Sequence, residues 1–390
     1  MRKKILLAGV AMAMALSLAG CGNEKQGGNN STEKTQNNTE QTGQDKVDQK
    51  DDASDNSEKK ADEPEYTTFP SDYTYESDGL TINIENVKPD KAYFYGGTSK
   101  AADLDYVKIG RTVMPDDGSN TLKEDQKMIL SNDMTGDFYN ACYIWGSDAC
   151  TYTTLTSSTI TSSIRDDKRY DDYNLSKYTD EKTFSFGDAD TVRQNIVDKF
   201  AESGIDLNTD FTYEVYYLDH ATLQAEEEHT DMDGNAQTDQ YKTDWSDKDD
   251  TYLFYFHKTY CGLRDFQKNA YADETAEDRN AQLTVMYNAS GIVYFYLQNL
   301  YDYESNNEPV TLMDFDSVMS SVKTYYENIV DGAIKKIVSA ELILDTTKNG
   351  KDNKVLTPVW ALSVEETPEG EQTSHYELRV NAETGAIIVQ

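Results

Sequence analysis

The residues whose type and spacing could do chemistry lie in two short stretches. His229-Thr-Asp231-Met-Asp233-Gly234-Asn235 sets oxygen-bearing side chains at alternate positions with a glycine at the bend, the layout of a calcium loop. In that register His229 takes the first ligand position and Gln240 the last, so both anchoring carboxylates are missing and an acidic Asp-Gly turn is expected instead. Ser320-Ser-Val-Lys323 has the Ser-x-x-Lys spacing that sets an amine beside a nucleophilic hydroxyl on a helix. No Lys-Thr-Gly completes that set, and the matching Ser54-Asp-Asn56 falls in a polar linker. His220, His229, His257 and His375 stand at no metal-ligand spacing from one another or from a cysteine. There is no Gly-Lys-Ser/Thr phosphate loop and no Gly-x-Ser-x-Gly elbow. The expectation is no catalytic residue, no metal and no cofactor, hence not an enzyme; an enzyme using scattered carboxylates is the weakest reading.

Four cysteines need separate accounts. Cys21 follows Leu18-Ala19-Gly20, which closes an apolar run Ile5–Leu18 behind Arg2, Lys3 and Lys4. A basic start, a short apolar core and a small-residue cleavage site make an export signal, too short to span a membrane. With a cysteine directly after the small residues, the stretch resembles the bacterial lipoprotein signal. That resemblance implies diacylglycerol on the Cys21 thiol, cleavage before Cys21, an acylated (palmitate-bearing) amino terminus, and a place on the extracytoplasmic face of the cell membrane, most simply in a Gram-positive organism. Cys142 and Cys150 share one segment and could close a disulfide loop across a turn at Gly146, worth about 2–3 kcal/mol by chain entropy, or remain reduced. Cys261 has no evident mate and reads as a buried thiol.

Stepping along the chain, residues 22–65 carry Val47 as the one aliphatic residue larger than alanine, and no aromatic before Tyr66. Such a segment cannot bury enough apolar surface to offset ordering entropy, so a disordered acidic tether is expected. As a flexible coil its reach is roughly 35–40 Å. The formal charge is −35, and loss of Arg2, Lys3 and Lys4 with the signal takes it three lower, to −38. So acidic a surface repels nucleic acid and anionic headgroups, and leaves membrane attachment to the lipid.

The folded part reads as α+β: a β-rich N-terminal domain over residues 66–182, then two related units, 183–305 and 306–390, each an antiparallel sheet with one packed helix, after a signal at 1–20 and a lipidated tether at 21–65. In the first domain Leu80–Val87, Asp105–Val113, Tyr139–Trp145 and Thr151–Thr156 read as strands, Ser157–Ile164 as strand or loop, and Asp166–Tyr178 as surface connection. In the first unit Asp188 caps a helix carrying Val192, Ile196, Val197 and Phe200 at helical spacing, and Gly204 stops it. Strands over Phe211–Leu218 and Tyr252–Phe256 follow, then a hairpin over Leu283–Tyr296. In the second unit a helix opens at Asp314 or Asp316 with Phe315, Val318, Met319, Val322, Tyr325, Tyr326 and Ile329 on one side. Strands over Lys336–Leu344 and Val359–Val364 follow, then a hairpin over Leu378–Val389. Asn-Ala opens both hairpin turns and glycine closes them, because those positions demand left-handed φ.

Leu356-Thr-Pro-Val-Trp360, where a proline leads into a tryptophan-bearing strand, and Val380-Asn-Ala-Glu-Thr-Gly385 resemble the PepSY-type and YycH/YycI-type modules of Gram-positive envelope proteins. That resemblance covers about 75 residues well. It implies a non-catalytic extracytoplasmic module that touches another envelope protein, such as a sensor kinase or peptidase; a lipid anchor here replaces those proteins' transmembrane helix. The functional expectation is therefore a membrane-anchored interaction or regulatory lipoprotein with an envelope protein partner and no nucleic acid. The alternative is a solute- or glycan-binding lipoprotein, because tyrosine reaches 28 residues against 12 phenylalanines. Its candidate patches are Tyr93-Phe-Tyr95, Tyr139/Tyr143/Trp145 and Tyr294/Tyr296/Tyr301/Tyr303.

Overall fold

A computed structural model describes residues 64–114, 121–123, 128–130, 141–145, 149–165, 173–231, 234–266, 281–329, 331–348 and 354–388. Residues 1–63, with Cys21, the stretch read as an export signal and all but the last two residues of the expected tether, lie outside them. The fold is α+β and mostly strand.

Side-chain caps set the helix starts. Asp105 accepts from the Lys108 N–H at 2.9 Å to begin α1 (Tyr106–Val113). Thr154 and Ser157 form a reciprocal capping box for α2 (Leu155–Thr161). Asp188 caps α3 (Ala189–Ser203), which Gly204 ends at φ +101°. Asp219 caps α4 (His220–Glu226), and Asp314 caps α5 (Phe315–Glu327). Two of these differ from the sequence expectation. Asp105–Val113 is helical because Tyr106, Ile109, Gly110 and Val113 fall on one face and are all buried, so burial outweighs the strand preference of its β-branched residues. The Ser/Thr-rich stretch becomes α2 because Thr154 Oγ1 also donates to the Val293 carbonyl at 2.9 Å, fixing the helix start on a strand. Residues 173–178 are also no mere surface connection: Leu175 and Tyr178 are buried.

One sheet runs antiparallel in the order Thr121–Lys123, Met128–Leu130, Ala141–Trp145, Ala149–Thr153, Gly291–Gln298, Leu283–Asn288, Thr251–Tyr260, Phe211–Leu218. Both faces are covered. Phe254, Phe256, Val285 and Phe295 pack with α1 and α3, while Leu253, Tyr255, Met286 and Val293 pack with Ile160 of α2 and Leu223 of α4. Strand Thr251–Tyr260 is accordingly buried almost without alternation.

The second sheet is built on the hairpin Ile334–Lys348 and Lys354–Thr367. Leu80–Ile84, Val87–Lys88 and Leu263–Phe266 lie parallel along one edge of Ile334–Lys348. Tyr73–Ser77 pairs outside Leu80–Ile84. Ser374–Asn381 and then Ile387–Ile388 follow on the far side of Lys354–Thr367. Strand Tyr95–Ala101 joins the start of Lys354–Thr367 and carries Tyr301–Pro309 on its other edge. Helix α5 buries Phe315, Val318, Met319, Val322 and Tyr326 against Ile82, Ile84, Leu362 and Val380. Trp360 is fully buried, with Phe69 and Phe315 edge-on at 4.9 and 4.8 Å. The sheets are joined by the turn Cys261-Gly262, through which Thr251–Tyr260 of the first sheet passes into Leu263–Phe266 of the second.

The stretch 66–182 thus supplies strands to both sheets. Tyr95–Ala101 pairs with Tyr301–Pro309, and Ala149–Thr153 pairs with Gly291–Gln298. Two successions correspond in part: α3 precedes four strands of the first sheet between Phe211 and Gln298, with α4 and Leu263–Phe266 of the second sheet set among them, and α5 precedes four strands from Ile334 to Ile388, each antiparallel to the next in its sheet.

Candidate functional site

Two regions of the described residues combine charge with a recess. The first is a polar clasp built where α4 ends. Helix C-termini disfavour carboxylates, yet Glu226 and Glu227 stand there together. Each is held by donors from distant segments. Glu226 takes the Lys177 ammonium, Arg165 Nη2 at 3.0 Å and Asn174 Nδ2 at 3.1 Å. The Lys177 hydrogen bond is the main cause that holds its carboxyl below the usual range. Glu227, whose side chain is 1 % exposed, accepts from the Lys242 N–H at 2.8 Å and Trp245 Nε1 at 2.8 Å, and meets His229 Nε2 at 2.9 Å. Burial pushes the Glu227 carboxyl up, but these three partners together hold it below the ordinary value. Alongside, Lys242 Nζ donates to Asp249 at 2.6 Å, Lys182 pairs with Asp219, and His220 Nδ1 meets Asp250 at 2.8 Å.

A recess of about 150 Å³ opens beside the clasp, lined by Leu155, Thr156, Thr159, Ile160, Lys242, Trp245 and Asp249. Glu226 and Glu227, held ionised by two or three donors each, are poorly matched to proton transfer near neutrality. The arrangement does suit fastening: it ties Arg165, Asn174 and Lys177 to Glu226, and Lys242 and Trp245 to Glu227.

The second region is an open groove of about 550 Å³ lined by Gly96, Asn306, Glu308, Pro309, Val310, Thr311, Leu312, Met313 and Glu383. Its lining includes the segment between strand Tyr301–Pro309 and α5. The Val310 N–H donates to the Phe94 carbonyl at 2.9 Å, and the Met313 N–H to Ala382 at 2.8 Å. Two close approaches adjoin residues of its lining. A side chain at Gly97 would put Cβ 2.5 Å from the Glu304 carbonyl, so the two strands meet only with glycine there. A Cβ added at Gly385, at φ +70°, would fall 2.8 Å from Ser321 Oγ.

The residues singled out from the sequence are dispersed. Asp231 closes its own turn, accepting from the Asn235 N–H at 2.8 Å and Nδ2 at 3.0 Å, while Asp233 lies outside the described residues. Among the described residues no three His, Cys, Asp or Glu side chains gather to hold a metal ion. Ser320 Oγ donates to the Asp316 carbonyl at 2.8 Å, and Lys323 reaches instead to Tyr73 Oη at 3.1 Å and over the Tyr75 ring at 4.7 Å. His257 Nε2 lies 3.8 Å from Glu214, and His375 sits across from Glu365 in the second sheet. Cys142 faces Tyr152 and Cys150 faces Ile144, which leaves the two cysteines diagonal to each other. Both are free, buried thiols, and burial, then contact with Cys142, pushes the Cys150 thiol well up.

The tyrosine patches separate too. Tyr93 stacks edge-on with Tyr66 and Tyr95, whereas Tyr303 packs on Tyr260 and donates to buried Asp265. Burial, then the Asp265 charge, drives the Tyr303 hydroxyl pKa far up. Tyr294 and Tyr296 belong to the first sheet. Tyr139 and the Trp145 side chain lie outside what is described. Neither the groove nor the clasp was foreseen from the sequence. The one local signal was Pro309, which ends an acidic strand and starts the segment that lines the groove.

No family model matches the chain, and no curated protein matches it. Among solved structures it is similar to an uncharacterized protein from Eubacterium rectale ATCC 33656, with a TM-score of 0.58 and 15% sequence identity over 82% of this chain and 94% of that one. At that identity the likeness concerns the fold. No helix among the described residues is long and apolar enough to cross a membrane.

Proposed function

We propose that this chain is a membrane-anchored extracytoplasmic lipoprotein whose folded body acts by contact with another envelope protein, without catalysis. The observation that carries the reading is Leu18-Ala19-Gly20-Cys21 behind a basic start and an apolar run. The lipid on Cys21 fixes the address, and residues 22–65 give the body its reach. The α3 and α5 successions are the two related units of this body, and the PepSY-like likeness belongs to the second. Support for a contact role comes from occupied side chains: Ser320, Lys323, Asp231 and the clasp carboxylates are each engaged in holding structure. The glycan-binding alternative is weakened because several tyrosine hydroxyls are committed internally, as in the Tyr326–Tyr376 contact at 2.9 Å and the Tyr178 bond to the Ser163 carbonyl.

The test is made in cells. Wild-type chain should incorporate labelled fatty acid and sediment with membranes. Cys21→Ser should lose both, and globomycin should block processing. Cross-linking of the intact lipoprotein should then recover one envelope protein reproducibly. Unchanged membrane partition of Cys21→Ser refutes the anchor, and repeated cross-linking without a partner refutes the contact role.

A further inference from the structure

Ion pairing along strand Tyr301–Pro309 is uneven. Asp302 has Lys258 at 3.9 Å and Glu304 has Lys100 at 3.1 Å. Glu308, at the groove, is met by the Asn306 amide at 3.3 Å, and Glu383 also lines the groove. Among the described residues no Lys, Arg or His lies within ion-pair distance of Glu308 or Glu383. The same lining includes apolar residues: Leu312 is buried, Val310 and Met313 half-buried, and Pro309 cannot donate a hydrogen bond. Five residues at strand spacing span at most about 16 Å, so residues 309–313 can face a peptide of no more than four to five residues. A cavity of this size falls within the range of ligand sites, about 300–1,000 Å³.

We propose that this groove seats an extended peptide segment of the partner that presents a lysine or arginine to Glu308 and Glu383 and an apolar side chain to Val310 and Met313. The inference rests on the contact role above and gives the partner a chemistry. The net charge of −35 draws a cationic segment from a distance, and the two carboxylates fix its register on arrival. Selectivity follows from the pair of demands: a purely basic peptide leaves the apolar lining uncovered, and a purely apolar one leaves both carboxylates without a partner.

The experiment uses the whole mature chain and fluorescent hexapeptides alternating valine with lysine, with acetyl-lysine, or with glutamate. The lysine peptide should bind saturably, and acetylation should weaken it at least tenfold. Glu308→Gln with Glu383→Gln should weaken it at least tenfold while leaving the melting temperature unchanged. A control pair on the exposed face of α3, Asp190→Asn with Glu202→Gln, removes the same charge and should alter affinity less than twofold. Thr311→Trp, which fills the groove without changing charge, should also abolish binding and serves if the first pair folds poorly. Equal losses from the control and groove pairs, or no saturable binding by the lysine peptide, overturns the proposal. If a partner is still captured from cells by the Glu308/Glu383 variant, the contact role survives and the groove falls alone.

Discussion

The clasp at the end of α4 and the rim of the groove are both acidic, yet their charges are treated oppositely. In the clasp, Glu226 and Glu227 are withdrawn from water and each meets three donors from segments as far away as 61 residues. At the groove, Glu308 and Glu383 have a single amide contact between them. Burial explains the difference. A carboxylate taken out of water must be surrounded by donors or it neutralises, whereas one left at a rim keeps its hydration and remains available to a visitor. The comparison separates acids that hold this fold from acids that do not.

The sharpest way to break it is Glu227→Ala. That change strands the Trp245 and Lys242 donors in a buried site and should cost about 3–5 kcal/mol, read by urea denaturation. A loss below about 1 kcal/mol would show the clasp to be ornamental. Acid should act next. Glu226 and Glu227 sit below their unfolded values, so their contribution is complete above about pH 5 and drains away as pH falls through the lowered folded values. The melting temperature should therefore fall steeply below about pH 4, and Glu226→Gln, already less stable at pH 7, should show a shallower acid slope. Gly385→Ala should have an intermediate effect of about 1–3 kcal/mol, since it meets Ser321 and Met313 at a left-handed φ. Thermal melts of Gly385→Ala against Gly370→Ala, whose Cβ meets nothing within 4 Å, separate crowding from φ strain alone. The smallest effect belongs to the rim: Glu308→Gln with Glu383→Gln should stay within about 0.5 kcal/mol of wild type by the same denaturation.

Periodicity and caps were legible where an element's evidence is local. Phe211–Leu218 is a strand with the bounds expected of it, and α3 runs between the Asp188 cap and the Gly204 stop. Helix α5 starts at Asp314 with its apolar face on the second sheet. Helix α1 was misread because valine and isoleucine favour strands in isolation, and α2 because its threonines and serines carry no apolar rhythm. The clasp was illegible for a different reason: its donors Arg165, Asn174 and Lys177 come from a segment about fifty residues before the acids they serve.

The sequence by itself determined part of the local vocabulary: helices α3 and α5, strands such as Phe211–Leu218, where caps and left-handed turns fall, and the cysteine behind the export-like start. Those features are written within a few residues, because a hydrogen-bonded turn or a period of two or 3.6 involves near neighbours. Only the tertiary structure decided that residues 66–182 would be shared between two sheets, through pairings such as Lys100 with Asp302 and Thr151 with Tyr296. Strand pairing across such distances carries no local mark. It is chosen by which apolar faces can be buried together once the whole chain has collapsed.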